Sequence, residues 1–298
     1  MNDGLLLLNK AAGITSFEAL TPVKKALCTG KVGHTGSLDK FADGLLVILT
    51  GKALKLTSYL TNCDKRYEAV MRLGSETDTL DPEGLVTACA PIPAKDTLET
   101  VIRHFQGEMA QIPPVYSAIH INGERAHKLA RGGAVVEMKP RPVNIYELTL
   151  LGYEPPLAKL GVHCSAGTYI RAIARDIAIE AGSRAHLIQL TRTQVGGFSL
   201  ADALTLNCPP DSASADIANA LRPIDRGIFY KLSIPVCEVD AECAAALRQG
   251  RRARIELPPD DPSPRVAVFC RSSFIALLEK TTSAAANNGS GWRYVFVF

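Results

Sequence analysis

Between Gly33 and Gly44 the chain sets three glycines, His34, Asp39 and Asp43 directly ahead of the apolar run Leu45 to Leu49. Glycine reaches positive φ and lets the backbone come close to a bulky partner, so this stretch reads as a strained turn entering a buried element. A carboxylate fixed in such a turn could work at a pocket mouth as nucleophile or base. An aspartate in a glycine-rich turn is more often a cap or an Asx-turn residue. Turn chemistry alone leaves both readings open.

Other common chemistries fail on spacing. Gly51-Lys52 is followed by Ala53 and lacks the upstream glycine that a phosphate-binding loop requires. No serine sits in a Gly-x-Ser-x-Gly elbow. The six histidines (34, 104, 120, 127, 163 and 186) form no metal-spaced pair, and the eight cysteines include no Cys-x-x-Cys, so neither a metal nor a cofactor is expected. Scattered thiols suit a reducing cytoplasm. The run Leu5 to Leu8 has neither a basic flank nor a cleavage site, and no stretch approaches the roughly 20 apolar residues of a membrane span. Net charge is +3, from 33 basic and 30 acidic residues, which neither demands nor excludes a nucleic-acid partner. Local patches are more telling: residues 1–60 hold seven lysines against four acids, and Arg248, Arg251, Arg252 and Arg254 cluster near the end.

The elements that must position these groups follow from periodicity. Leu5 to Leu8 predicts a buried strand, Phe17 to Leu27 a helix and Tyr67 to Leu73 a strand, while Ser75 to Glu83 reads as an acidic surface loop. Asp96 and Glu99 resemble a capping box before a helix with Leu98, Val101, Ile102 and Phe105 inward. Adjacent prolines keep Gln111 to Ser117 extended, and Pro140 and Pro142 mark another extended connection. Strands are expected over Ile145 to Leu151, Gly161 to Cys164 and Ile188 to Val195, with a helix from Tyr169 to Ala181 stopped by Gly182. Asn207 to Asp216 reads as an insertion. After about Tyr230 short apolar runs (Leu232 to Val239, Arg254 to Leu257, Val266 to Phe269, Tyr294 to Phe298) suggest a small β-rich domain, giving domains 1–230 and 231–298.

The segment Gly33-His34-Thr35-Gly36-Ser37-Leu38-Asp39, with Ala42, Gly44 and Leu45, resembles the signature of the TruB-type pseudouridine synthases. Supporting pieces fall in that family's order: Lys10 with Gly13, Lys65-Arg66-Tyr67, Gln111 to Ala118, and Ser165-Ala166-Gly167-Thr168-Tyr169-Ile170-Arg171. The resemblance implies an α+β fold, a mixed and mostly antiparallel sheet with helices around a central cleft. It also implies isomerisation of uridine to pseudouridine in the T loop of tRNA (position 55), by a monomer that uses no cofactor and flips the base out of the loop. More weakly, Leu247 to Ile255 resembles part of a PUA domain, a small RNA-contacting pseudo-barrel.

By the same resemblance Asp39 attacks the nucleoside or takes a ribose proton, and the sequence leaves those routes open. Arg171 would keep that carboxylate charged. Tyr67 would stack on the detached uracil and assist loss of the C5 proton, and His34 would fill the space the flipped base vacates. Tyr169 and Leu190 would line the pocket and Lys10 support its wall. Each has a plainer alternative: a surface arginine, a core tyrosine or leucine, a turn histidine. Four residues depart from the family pattern. Ala11 and Lys40 replace usual prolines, Asp43 a small hydroxyl residue, and His127 an aromatic; Lys40 and Asp43 could alter the Asp39 pKa. Two other classes are compatible with parts of the pattern, a non-catalytic RNA-binding protein and a glycosidase using Asp39 with Asp43.

Overall fold

The computed structural model describes residues 3–121, 123–132, 136–206, 214–251, 255, 263–280 and 292–298, without the side chains of 127 and 131. Two unbroken apolar runs organise its first half. Runs of that kind form strands only where both faces are covered. They pair antiparallel as β1 (Gly4–Lys10) and β3 (Asp43–Thr50), and β2 (Val32–His34) joins the hairpin. Leu6, Leu8, Leu46 and Ile48 pack against α1 (Leu20–Ala26) and the later Ile217. Their neighbours Leu5, Leu7, Leu45, Val47 and Leu49 point the other way, into a cluster with Phe229, Phe269, Phe274 and Leu277 from the C-terminal part.

The chain continues through a 3₁₀ turn into α2 (Thr57–Thr61), then β4 (Lys65–Leu73), the hairpin β5 (Ser75–Thr77) with β6 (Val86–Cys89), α3 (Lys95–His104) and β7 (Gly107–Gln111). A small hairpin β8 (His120–Ile121) and β9 (Glu124–Arg125) leads to α4 (Ala126–Arg131) and to the long pair β10 (Arg141–Glu154) and β11 (Leu157–Cys164). Helix α5 (Ile170–Glu180), β12 (Ala185–Val195), β13 (Phe198–Ser199), β14 (Leu204–Thr205), α6 (Ser214–Ala220) and α7 (Arg226–Lys231) follow. The main sheet runs β14-β1-β3-β12-β4-β11-β10-β7, with β2 on β3 and β13 on β12; only β1 with β14 and β3 with β12 are parallel. Helices α3 and α5 cover one face through Leu98, Ile102, Ile173 and Ile177. A second sheet, β15 (Val236–Glu238), β16 (Arg265–Cys270), β17 (Ser273–Lys280) and β18 (Trp292–Val297), carries α8 (Ala241–Arg248).

Several local expectations differ. The first helix starts later, at Leu20 with Ala19 as N-cap; residues 16–19 before it form turns closed by a reciprocal pair, Thr15 N donating to Glu18 Oε2 (2.7 Å) and Glu18 N to Thr15 Oγ1 (3.1 Å). The capping box expected at Asp96 is absent: Ala94 is the N-cap, and Glu99 instead faces Lys95 at 3.4 Å. Ser75 to Glu83 is not simply a surface loop, since it contains β5 and buries Leu80 and Asp81. Pro142 lies within a strand, where β10 pairs with the edge strand β7. Strand β17 and helix α8 had no counterpart in the sequence reading. Most of the expected insertion (207–213) and most of the expected strand Arg254 to Leu257 lie outside the described residues.

The two sheets share one core. The ring centroid of Phe229, on α7, lies 4.6 Å from that of Phe274 and 5.6 Å from that of Phe269. Lys55 Nζ donates to Val297 O at 2.9 Å. Emptying the Phe229 site removes a fully buried ring from both sheets at once. Phe229→Ala is expected to cost about 3–5 kcal/mol and to leave a single cooperative unfolding transition in denaturant monitored by circular dichroism. Two separate transitions would contradict a shared core.

Candidate active site

Asp39 lies on the loop between β2 and β3, and that loop is held at nearly every residue. Thr35 N donates to Val47 O (3.0 Å), Leu38 N to Ser16 Oγ (2.8 Å) and Gly13 N to Lys40 O (2.8 Å). Leu38 and Ala42 are buried in the core beneath α5. Arg192, itself buried, supplies the remaining anchors: Nε donates to Leu45 O (2.8 Å), Nη2 to Gly36 O (3.0 Å) and Nη1 to Ser37 O (3.4 Å). The chain turns into β3 at Gly44, where φ is +102° and any Cβ would collide with the Arg192 backbone, so glycine is required there.

Arg171, in the first turn of α5, meets Asp39 side-on. Its Nε is 2.8 Å from Asp39 Oδ2, and Nη2 donates to Oδ1 at 3.1 Å. The remaining directions are occupied by Tyr116 O (3.0 Å), Thr79 O (2.7 Å) and Asp81 Oδ2 (3.3 Å). Asp81 is locked in turn, its Oδ1 accepting from Thr79 Oγ1 (2.6 Å) and Glu83 N (3.0 Å). Burial pushes the Asp39 carboxyl above the usual carboxylate range; Arg171 opposes that rise and Asp81 adds to it.

The other expected site residues fall around this pair. Tyr67 lies on β4, opposite Arg192 of β12, with its ring against the core. Burial raises its pKa and outweighs the opposing pull of Arg192, so the phenol stays neutral. Leu190 is buried in the same cluster beside Ala69. Tyr169 is the N-cap of α5, fixed by reciprocal bonds with buried Gln111 (2.9 and 3.1 Å). His34 ends β2; burial lowers its pKa, the ring is neutral, and Nδ1 accepts only a long bond from Gly36 N (3.4 Å). Lys10 is buried, donates to Ala11 O (2.9 Å) and Ile14 O (2.7 Å), and loses enough hydration to bring its pKa to about 8 against the pull of Asp43 and Asp39.

The two charged departures act differently from expectation. Lys40 is exposed and turns to Glu83 (3.7 Å), and neither it nor Asp43 is a leading influence on Asp39. The acid that does act on Asp39 is Asp81, which the sequence left undistinguished within an acidic segment. Both of its oxygens are already engaged, one by Thr79 and Glu83 and the other by Arg171. Arg192 was equally unforeseen, although its spacing of two from Leu190 on a strand puts it on the inward face. The side chain of His127 lies outside the described residues.

Residues 24–170 match the TruB family pseudouridylate synthase (N terminal domain). The chain is 48% identical over 255 residues to tRNA pseudouridine synthase B of Borreliella burgdorferi (strain ZS7), covering 80% of this chain and 90% of that protein. With tRNA pseudouridine synthase B of Azoarcus sp. (strain BH72) identity is 39% over 278 residues, covering 93% and 91%. The chain belongs to the TruB family. The fold agrees: a chain in the crystal structure of a Cbf5-Nop10-Gar1 complex superposes with a TM-score of 0.72 at 23% identity, over 99% of this chain and 85% of that one. That likeness extends through the second sheet, as expected for a catalytic α+β fold followed by a PUA-like domain.

Asp81 gives the site a test of its own. Asp81→Asn removes a negative charge that raises the Asp39 pKa and loosens Arg171. Turnover is expected to fall about 10- to 100-fold through misplacement of the pair, with the acid limb of the rate profile moved to lower pH. An unchanged rate and limb would remove Asp81 from the site.

Proposed function

We propose that the chain isomerises uridine to pseudouridine at position 55 in the T loop of tRNA, with Asp39 as the reacting carboxylate. The observation that carries this reading is the side-on Asp39–Arg171 pair at the end of a rigid glycine loop. The reaction breaks the C1′–N1 bond and joins C1′ to C5; a proton leaves C5 and N1 takes one up. Atoms and electrons balance within the nucleoside, so the chemistry requires no redox or group-carrying cofactor. Asp39 attacks the nucleoside directly or takes a ribose proton to give a glycal, and Arg171 holds it ionised in either route.

In this reading Tyr67 stacks on the detached uracil, with Tyr169 and Leu190 as further walls. Its neutral hydroxyl favours holding the ring over acting as a strong base. A neutral imidazole at His34 suits an apolar gap in a base stack better than an imidazolium would, which supports its use as the residue that replaces the flipped base. Lys10 braces the turn from Ala11 to Ile14 beside the catalytic loop. Residues 1–230 serve as the catalytic unit and 231–298 as the PUA-like RNA-contacting unit, in a monomer acting on tRNA in the cytoplasm. No helix among the described residues is long and apolar enough to cross a membrane.

Two outcomes are expected. With tRNA carrying 5-tritiated uridine, the protein releases label as C5 becomes attached to the ribose; Asp39→Asn abolishes release while tRNA affinity stays within tenfold, about 1.4 kcal/mol. Binding without release in the unaltered protein would reject the enzyme reading. Because only ionised Asp39 reacts and burial raises its pKa, the rate should fall on acidification at a pH above the usual carboxylate range. A limb inside that range would argue that Asp39 is not the titrating group.

A further inference from the structure

A second concavity lies away from Asp39. Paired strand residues share a face, and successive residues alternate. Val162 is paired with Tyr67 and His163 with Arg66, so His163 projects from the side of the sheet opposite Tyr67. There a cleft of about 870 Å³ opens between α2, strands β10 and β11, and the wall formed by α7 and β16. It therefore sits where the two sheets meet, a common location for ligand sites, and its size is within the range for small-molecule pockets.

Its lining combines aromatic faces with hydrogen-bonding groups. Tyr146 and Tyr230, one on each wall, leave half or more of their surface in solvent, at 50% and 62% exposure. Tyr146 is backed by the His163 ring at 4.9 Å. Asp64 holds His163 Nε2 in a short hydrogen bond, which fixes the ring and leaves Nδ1 as the other polar edge. The Asn62 side chain has no hydrogen-bond partner among the described residues and offers both a donor and an acceptor. Arg265 lies over the Tyr59 ring at 4.9 Å and is tied to Glu279. Lys231 Nζ lies 3.7 Å from Asp202 and 5.2 Å from the centre of the Phe198 ring, partly exposed contacts that cost little to exchange.

We propose that this cleft binds a single nucleotide, its base stacking on the exposed tyrosine rings and its phosphate meeting Lys231. The Asn62 amide and the fixed His163 ring read the base edge. An apolar ligand would strand those polar groups, whereas a base satisfies them and its phosphate can draw Lys231 from its weak exposed pair. The nucleotide is either free in solution or an unpaired residue of a bound RNA, and both present the same base and phosphate. Recognition of this kind does not depend on the reaction assigned to Asp39.

The test uses the full chain. Uridine, cytidine, adenosine and guanosine 5′-monophosphates are titrated by calorimetry into the unaltered protein and into the Tyr146→Ala/Tyr230→Ala double variant. Both rings are largely exposed, so the thermal midpoint should stay unchanged and serves as the folding control. Binding of at least one mononucleotide, weakened tenfold or more in the variant, is expected, with turnover of an isolated T-arm hairpin unaffected. A rise of fivefold or more in the variant's KM for whole tRNA identifies an RNA nucleotide as occupant. Lost mononucleotide binding with an unmoved tRNA KM identifies a free one. Mononucleotide binding that survives both substitutions overturns the proposal. So does no binding up to ~10 mM, about 2.7 kcal/mol of affinity, together with an unmoved tRNA KM.

Discussion

A guanidinium removed from water must be surrounded by acceptors and balanced by charge, and in this chain that requirement falls on Arg171. Only 5% of its side chain is exposed, and two aspartates and two carbonyls converge on it. The partners come from three separate stretches, around residues 39, 79–81 and 116. One buried cation thereby joins the Asp39 loop, the segment after β5 and the proline-rich connection to the start of α5. Asp39 is held between opposing influences: desolvation and Asp81 raise its pKa, and the guanidinium lowers it. In the proposed reaction that balance leaves the carboxylate desolvated yet paired with a cation.

The second requirement is that the loop carrying Asp39 does not move. Arg192 meets it by binding three carbonyls on either side of the turn, opposite Tyr67 on the neighbouring strand. Its own place is set by β12 lying parallel to β3 at Arg192 and Gly44. The rigidity extends outward, because β3 is clamped between α1 on one face and the C-terminal phenylalanine cluster on the other. The second sheet is thus part of the scaffold beneath the site as well as an appended unit. Pre-positioned groups of this kind lower a barrier without reorganising during the reaction.

What the sequence made legible follows the range of each interaction. The strand around Leu5 to Leu8, the buried element at Leu45 to Leu49, the helix after Tyr169 and the glycine turn at Asp39 were readable because their signals are local: apolar runs, period 3.6, glycine spacing. The pairing of Asp39 with Arg171 spans 132 residues and came from family resemblance, since no periodicity links them. Asp81 was hidden because an acid in a turn-rich stretch looks solvated until a distant arginine buries it. Thr15 with Glu18 and Asp96 with Glu99 have the same spacing, yet only the first pair forms reciprocal bonds, because spacing alone does not fix the backbone that a cap needs. Strand β17 was hidden because Ala276, Leu277, Leu278, Glu279 and Lys280 are helix-favouring residue types, which pairing with β16 and β18 overrides.

The central claim is that Asp39 and Arg171 act as one buried unit. A double-mutant cycle with Asp39→Asn, Arg171→Met and the pair together, measured by chemical denaturation, addresses it directly. If each residue's burial depends on the other, removing both costs less than the sum of the single losses, with a coupling of at least about 1 kcal/mol. Losses that add to within about 0.5 kcal/mol would mean the two side chains are energetically independent, and the account of the site would be wrong.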